Sequence, residues 1–188
     1  MSEHHAVVAT AAHRARVVET VVAAFRDDPA FRFFFADPER FDAQAALFAG
    51  HLFDRRVDSG TVWVVDGGSA VAMWAGPPGE PADALAAHGM PADVLDRLDE
   101  YDKAVHDLLP PVPHWYLGVL ATHPDHAGRR WGRLAMADGV RLAAEQGLPA
   151  LLETTNPRNV GIYERAGWST VGEARAGDLR IWVMRAGR

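Results

Sequence analysis

A nearly unbroken apolar run at 115–121, WYLGVLA, predicts a strand buried on both faces. Pro124 and Asp125 end it. Gly128 to Gly132 then lead into a helix whose apolar positions are Leu134, Met136, Ala137, Val140, Leu142 and Ala143. Upstream, residues 5–10 predict a first edge strand. Val17, Val18, Val21, Val22 and Phe25 fall on one face of a helix over 13–26, which Asp27, Asp28 and Pro29 terminate. The aromatic segment 31–35 reads as a loop or short helix. Asp37, Pro38 and Glu39 form a helix start, and Phe41, Ala45, Phe48 and Leu52 line one face as far as Val57. Strands over 61–65 and 69–75 join at Asp66-Gly67-Gly68, a hairpin signal, and Gly76 to Gly79 break the second one. Residues 80–109 predict helix in two pieces split near Gly89-Met90-Pro91. A strand at 150–154, a short helix at 158–166 and strands at 168–173 and 179–185 complete the chain.

Composition narrows this picture. The chain has 188 residues, 48% of them hydrophobic and 23% charged, which fits one globular domain over 1–188. A formal charge of −6 argues against nucleic acid or an anionic membrane as the main partner. The absence of cysteine removes disulfides, a thiolate nucleophile and Cys-ligated zinc. His123 and His126 share a turn with no supporting third ligand, so no metal is expected. With no leader-like segment and no apolar stretch approaching the ~20 residues of a membrane span, a cytoplasmic location is expected.

The turn after the apolar strand carries the first chemistry. A glycine-containing strand-to-helix turn presents backbone N–H groups at the positive end of a helix, and Arg129, Arg130 and Arg133 add full charges suited to phosphate. Neither GxxxxGK[ST] nor GxGxxG is present. The segment Ala127-Gly128-Arg129-Arg130-Trp131-Gly132 resembles the acetyl-CoA signature [QR]-x-x-G-x-[GA] of the GNAT N-acetyltransferases, with Ala127 in place of Gln or Arg and Arg130 in place of the first Gly. Asn159, Tyr163, Glu164, Gly167 and Trp168 are similar to that family's closing motif, N-x-x-x-Y-E-x-x-G-[FW]. The likeness extends over roughly residues 14–185, with 80–112 the least distinctive part.

The resemblance implies an α/β (mixed α+β) fold: a mostly antiparallel central sheet with a splayed central strand pair, flanked by helices. It also implies acetyl-CoA as co-substrate and a small-molecule amine as acceptor, an aminonucleoside or other antibiotic among the candidates. A protein lysine or N-terminal acceptor and a non-catalytic acyl-CoA-binding module are the alternatives, and either a monomer or a homodimer is compatible. On this reading the main chain of Leu120, Ala121 and Thr122 would meet the pantetheine arm, and Gly128 to Arg133, with Trp131 and Gly132, the pyrophosphate. Asn159 would bond pantetheine. Tyr163, a phenol protonated at neutral pH, is the candidate general acid. Glu153, on a strand among apolar neighbours, and His114, at the head of the central strand, are the candidate bases. Asp27, Asp28, Phe31, Phe34, Trp74 and Tyr116 could form an aromatic, acidic pocket for a flat cationic amine.

Overall fold

The computed structural model describes residues 4–79 and 85–187. In chain order its elements are β1 (Val7–Val8), α1 (Arg14–Ala24), α2 (Pro29–Phe34), α3 (Phe41–Val57), β2 (Val62–Val65), β3 (Ala70–Ala75), α4 (Ala92–His106), β4 (Trp115–Thr122), α5 (Trp131–Glu145), β5 (Ala150–Thr154), α6 (Pro157–Arg165), β6 (Trp168–Ala176) and β7 (Leu179–Ala186). The strands form one seven-stranded sheet in the order β1-β2-β3-β4-β5-β7-β6. Only β4 and β5 run parallel; the other pairs are antiparallel. The sheet is thus the mixed, mostly antiparallel one expected.

Helices cover both faces. Val17, Phe31, Phe53 and Val94, from α1 to α4, pack with Val62, Val64, Val71, Met73, Val119 and Ala121 on one side. Trp131, Ala135, Met136 and Ala143 of α5 pack with Trp63, Ala72, Trp74, Trp115 and Leu117 on the other. The β2–β3 hairpin closes through Asp66, Gly67 and Gly68, all at positive φ (51°, 65° and 107°), where two glycines relieve the strain an L side chain would add.

Several expectations change in detail. The apolar run of β4 is not buried on both faces throughout: Tyr116, Gly118, Leu120 and Thr122 are half-buried, alternating with the buried Trp115, Leu117, Val119 and Ala121. Met73 pairs with Val119 and Trp74 with Leu117, so Gly118 is an extra residue, a β-bulge. The bulge moves alternation by one. Leu117 therefore faces α5, whereas Val119 and Ala121 face α1 and α3.

Helix α3 starts at Phe41 rather than Asp37. The Asp37 carboxylate accepts the Glu39 N–H (2.9 Å) and its carbonyl accepts the Arg40 N–H (3.2 Å), closing a separate turn. On α5 the buried face is Trp131, Ala135, Met136, Gly139 and Ala143; Leu134 and Ala137 lie on the exposed side. Of the helical stretch expected over 80–109, residues 80–84 lie outside the described residues, 85–88 form a short 3₁₀ turn and α4 supplies the rest. The two last strands run further than expected.

Gly139 fixes how closely α5 approaches the sheet. A Cβ at this position would stand 2.2 Å from Cε2 of Trp74, whose side chain is fully buried. Neither backbone nor indole can yield freely in a close-packed layer. Gly139→Ala is expected to lower stability by about 1–3 kcal/mol in urea denaturation, despite the better helix propensity of alanine. Adding Trp74→Leu to that variant should recover part of the loss.

Candidate active site

The sheet opens at its centre. Hydrogen-bonded register between β4 and β5 runs through Trp115↔Ala150, Tyr116↔Leu151 and Leu117↔Leu152 and then stops, although β4 continues to Thr122 and β5 to Thr154. The bulge at Gly118 coincides with that loss of pairing. A cleft of about 370 Å³ occupies the region, lined by β4, β5 and residues from α2, α3, α4 and α6.

Glu153 lies on the face of β5 opposite Leu152, as strand alternation requires. Its Oε1 accepts a hydrogen bond from the Tyr101 hydroxyl at 3.4 Å, and its Oε2 accepts one from the Tyr116 hydroxyl. Burial pushes the Glu153 carboxyl up to about 7, helped by the nearby Asp102, while the bond from Tyr116, its own backbone N–H and the bond from Tyr101 pull the other way. A carboxyl in that range can take a proton near neutrality.

The short helix α6 delivers two further groups. Asn156 caps it by accepting the Arg158 N–H at 3.0 Å, and Pro157 sits at the first helical position. Gly167, at φ 91°, ends it, and the buried Trp168 packs its ring 6.0 Å from that of Tyr163. Tyr163 and Asn159 both line the cleft. Burial, followed by the charges of Glu153 and Asp28, raises Tyr163 above the ordinary phenol range, which keeps it a proton donor. Asn159 Nδ2 donates to Thr154 Oγ1 at 3.5 Å, orienting its amide across the strand end.

One wall of the cleft is aromatic. Phe31, Phe34 and Tyr116 line the cleft, joined by Phe25, Phe48 and Tyr101. Asp28 lines it too. It also caps α2, its Oδ1 accepting the N–H groups of Ala30 (2.9 Å) and Phe31 (3.3 Å), and burial raises its pKa. Two anticipated residues are elsewhere. Asp27 is exposed and reaches Arg32 at 3.4 Å, and Trp74 is sealed beneath Gly139 on the α5 face, because its strand alternation points it away from the cleft. His114 lines the cleft, with Nδ1 2.8 Å from the carbonyl of Val112, which accepts its proton in the tautomer that leaves Nε2 as an acceptor.

Residues 127–133 do not line the cleft themselves; they form the mouth of α5, in which Trp131 is buried in the core, Gly132 is half-buried and the others are exposed. Gly128 and Arg130 take positive φ (80° and 62°), and Arg130 is the residue immediately before the helix. Among the described residues, the N–H groups of Gly128, Arg130, Trp131 and Gly132 have no hydrogen-bond acceptor. Arg129 stacks its guanidinium over Trp131 at 5.1 Å, and Arg129, Arg130 and Arg133 are exposed with no ion-pair partner among the described residues. A Cβ on Gly132 would meet Thr122 Oγ1 at 3.2 Å, so this glycine lets the helix mouth come close to the end of β4. Free N–H groups, three guanidiniums and the bare edge of β4 from Val119 to Thr122 form a donor set that fits a pyrophosphate and an extended amide-bearing arm. Leu120 is the one residue of the Leu120–Thr122 segment that also lines the cleft.

The sequence did not single out Tyr101, Asp102, Arg55 or Arg56, which also reach the cleft. Tyr101 reads as one more apolar-periodic position with Val94, Leu98 and Val105 on α4. No group of three or more His, Cys, Asp or Glu among the described residues could hold a metal ion. No helix among them is long and apolar enough to cross a membrane.

Solved structures share this architecture from end to end. A polyamine N-acetyltransferase from Drosophila melanogaster superposes with a TM-score of 0.74 at 14% identity, over 99% of this chain and 100% of that one. A histone acetyltransferase HPA2 and related acetyltransferase from Corynebacterium glutamicum gives 0.73 at 21% identity, over 98% and 96%. A putative arylalkylamine N-acetyltransferase 7 from Aedes aegypti gives 0.70 at 11% identity, over 97% and 86%. These likenesses establish the fold. The family model of the acetyltransferase (GNAT) family matches residues 19–168, and with the splayed β4–β5 pair it places the chain in that family.

Proposed function

We propose that this acetyltransferase moves an acetyl group from acetyl-CoA directly to a primary amine of a small molecule, both bound at once in the splay between β4 and β5. One observation carries the reading: Glu153 and Tyr163 line the same aromatic cleft, the first poised to accept a proton and the second to give one. The backbone and arginines of the turn 128–133 and the edge of β4 would hold acetyl-CoA on one side. Asp28, Phe31, Phe34, Tyr101 and Tyr116 would hold the amine on the other, with Asp28 balancing its charge.

Chemically, the amine nitrogen forms a bond to the thioester carbonyl carbon as Glu153 takes a proton from nitrogen. The C–S bond then breaks, and the sulfur takes the proton of Tyr163. Release of the proton from Glu153 to solvent and its return to the Tyr163 phenolate restore the enzyme. A main-chain N–H on the bare edge of β4 would polarise the carbonyl oxygen.

A small amine as acceptor is supported by the structural neighbours. One is described as catalysing the formation of N-acetylagmatine, and others as arylalkylamine N-acetyltransferases. An aminonucleoside is supported by sequence: AAFRDDPAFR, VWVVDGGSAVAMW, HWYLGVLATHPDH and LETTNPRNVGIYERAGW resemble strings of puromycin N-acetyltransferase. Thiol release from acetyl-CoA, measured against an amine panel that includes puromycin, tests both levels. Release with puromycin supports the finer reading, and release only with other amines keeps the reaction and discards the analogy. Acetyl-CoA binding without release with any amine would move a protein acceptor or a binding module ahead.

Tyr163→Phe is expected to lower kcat by ~10²–10⁴-fold while changing the Kd of acetyl-CoA little, read by stopped-flow turnover and calorimetry. With an acceptor whose amine is already neutral, kcat/KM should rise with pH through about 7 as Glu153 ionises, and Glu153→Gln should remove that limb. Arg130→Gly keeps the left-handed backbone and deletes one cation, so the Kd of acetyl-CoA should rise roughly fivefold, with a shallower dependence on salt.

A further inference from the structure

We infer that Tyr101 and Tyr116 are positioning residues: each donates a hydrogen bond from its hydroxyl to a different oxygen of Glu153, and together they hold that carboxylate as the base facing the acceptor. The inference rests on Glu153 as general base and goes beyond it by assigning roles to two tyrosines from different elements of the fold, α4 and β4. The geometry is specific. Tyr116 stands on β4 opposite Leu151, two residues before Glu153 on the parallel neighbour, so the two side chains share a face at the point where the strands part. Tyr101 arrives from α4, and its ring is fixed edge-on against Phe34 of α2 at 4.9 Å and 88°. It bonds Oε1 while Tyr116 bonds Oε2. A carboxylate has about four lone-pair positions, so a clamp of this kind still leaves one on each oxygen for the amine's proton.

Neither tyrosine competes as a base. Burial, followed by the charge of Glu153, raises both well above the ordinary phenol range. Among the described residues, six other titratable groups share the cleft, namely Asp28 of the α2 cap, Arg55 and Arg56 of α3, Asp102 of α4, His114 and Tyr163, together with the neutral polar side chains of Thr154, Thr155 and Asn159. On the β7 side Glu153 pairs with Val183, which is apolar. Burial and Asp102 favour the protonated acid, whereas the two phenol bonds oppose them. Removing a donor therefore moves the carboxyl further up and away from the working range.

The test compares the wild type with Tyr101→Phe and Tyr116→Phe, two conservative variants from different elements. Carbon-13 NMR of glutamate-labelled free protein, with Glu153→Gln identifying the resonance, reads the titration of the carboxyl directly. The acid limb of kcat/KM reads it in catalysis. We expect the midpoint to rise by roughly one pH unit in each variant, the size of one charge-assisted hydrogen bond, with the acid limb following and acetyl-CoA affinity unchanged. Lower activity with an unmoved midpoint in both variants would make the tyrosines merely structural and overturn the inference. A midpoint that rises without the acid limb, or a limb that survives Glu153→Gln, would instead remove Glu153 as the base and overturn the reading beneath the inference.

Discussion

Past Leu117 and Leu152 the central strands stop sharing hydrogen bonds, and the rest of the molecule is arranged around that break. Buried backbone N–H and C=O groups need partners, so a sheet that parts at its centre must either admit solvent or offer its open edge to something else. The Gly118 bulge makes the parting local by bending β4 against β3 while β3 stays paired along its length. One strand edge is thus left open, with α6 and the α2–α4 aromatic wall lining the cleft beside it and Gly132 of the α5 mouth close to Thr122 at its end.

The cleft works against the stability of the fold that builds it. Burial raises Glu153 from the ordinary carboxylate range to about 7, so between those limits the native state holds a proton that the unfolded chain has released. Stability therefore falls as pH rises through that window, the opposite of the usual carboxylate case. The ionised form of Glu153, the one the proposed base needs, is thus also the form in which the group destabilises the native state. The phenols on its two oxygens limit this penalty.

Periodicity alone recovered most of the elements, because apolar spacing, proline and glycine act locally: Asn156-Pro157 opens α6 and Gly167 closes it, each by its own backbone preference. What periodicity missed depended on tertiary context. The run WYLGVLA carries no sign that Gly118 is an inserted residue, since the bulge exists only relative to Met73 and Trp74. Trp74 was legible as an aromatic near the centre, but its facing depends on that register, and it serves as the floor under Gly139. Asp28 could be found from sequence and Tyr101 could not: an acid beside an aromatic segment stood out as a pocket candidate, although its cap of α2 emerged only in the fold, whereas a tyrosine in a helical apolar pattern looks like core until Glu153 is placed beside it. The three arginines of the α5 mouth were visible as charge, but the left-handed backbone of Arg130 became visible only in the folded turn.

That turn has a consequence for the chain's own chemistry. A guanidinium stays protonated under all working conditions and is a poor nucleophile, so Arg129, Arg130 and Arg133 can sit beside an activated acyl donor without consuming it. A lysine cluster there would present amines to the very reagent it gathers. The sequence has a single lysine, Lys103, whose ammonium lies 2.6 Å from Asp99 and is held more firmly protonated by that bond. A surface proposed to hold the acyl donor would therefore be spared from self-modification.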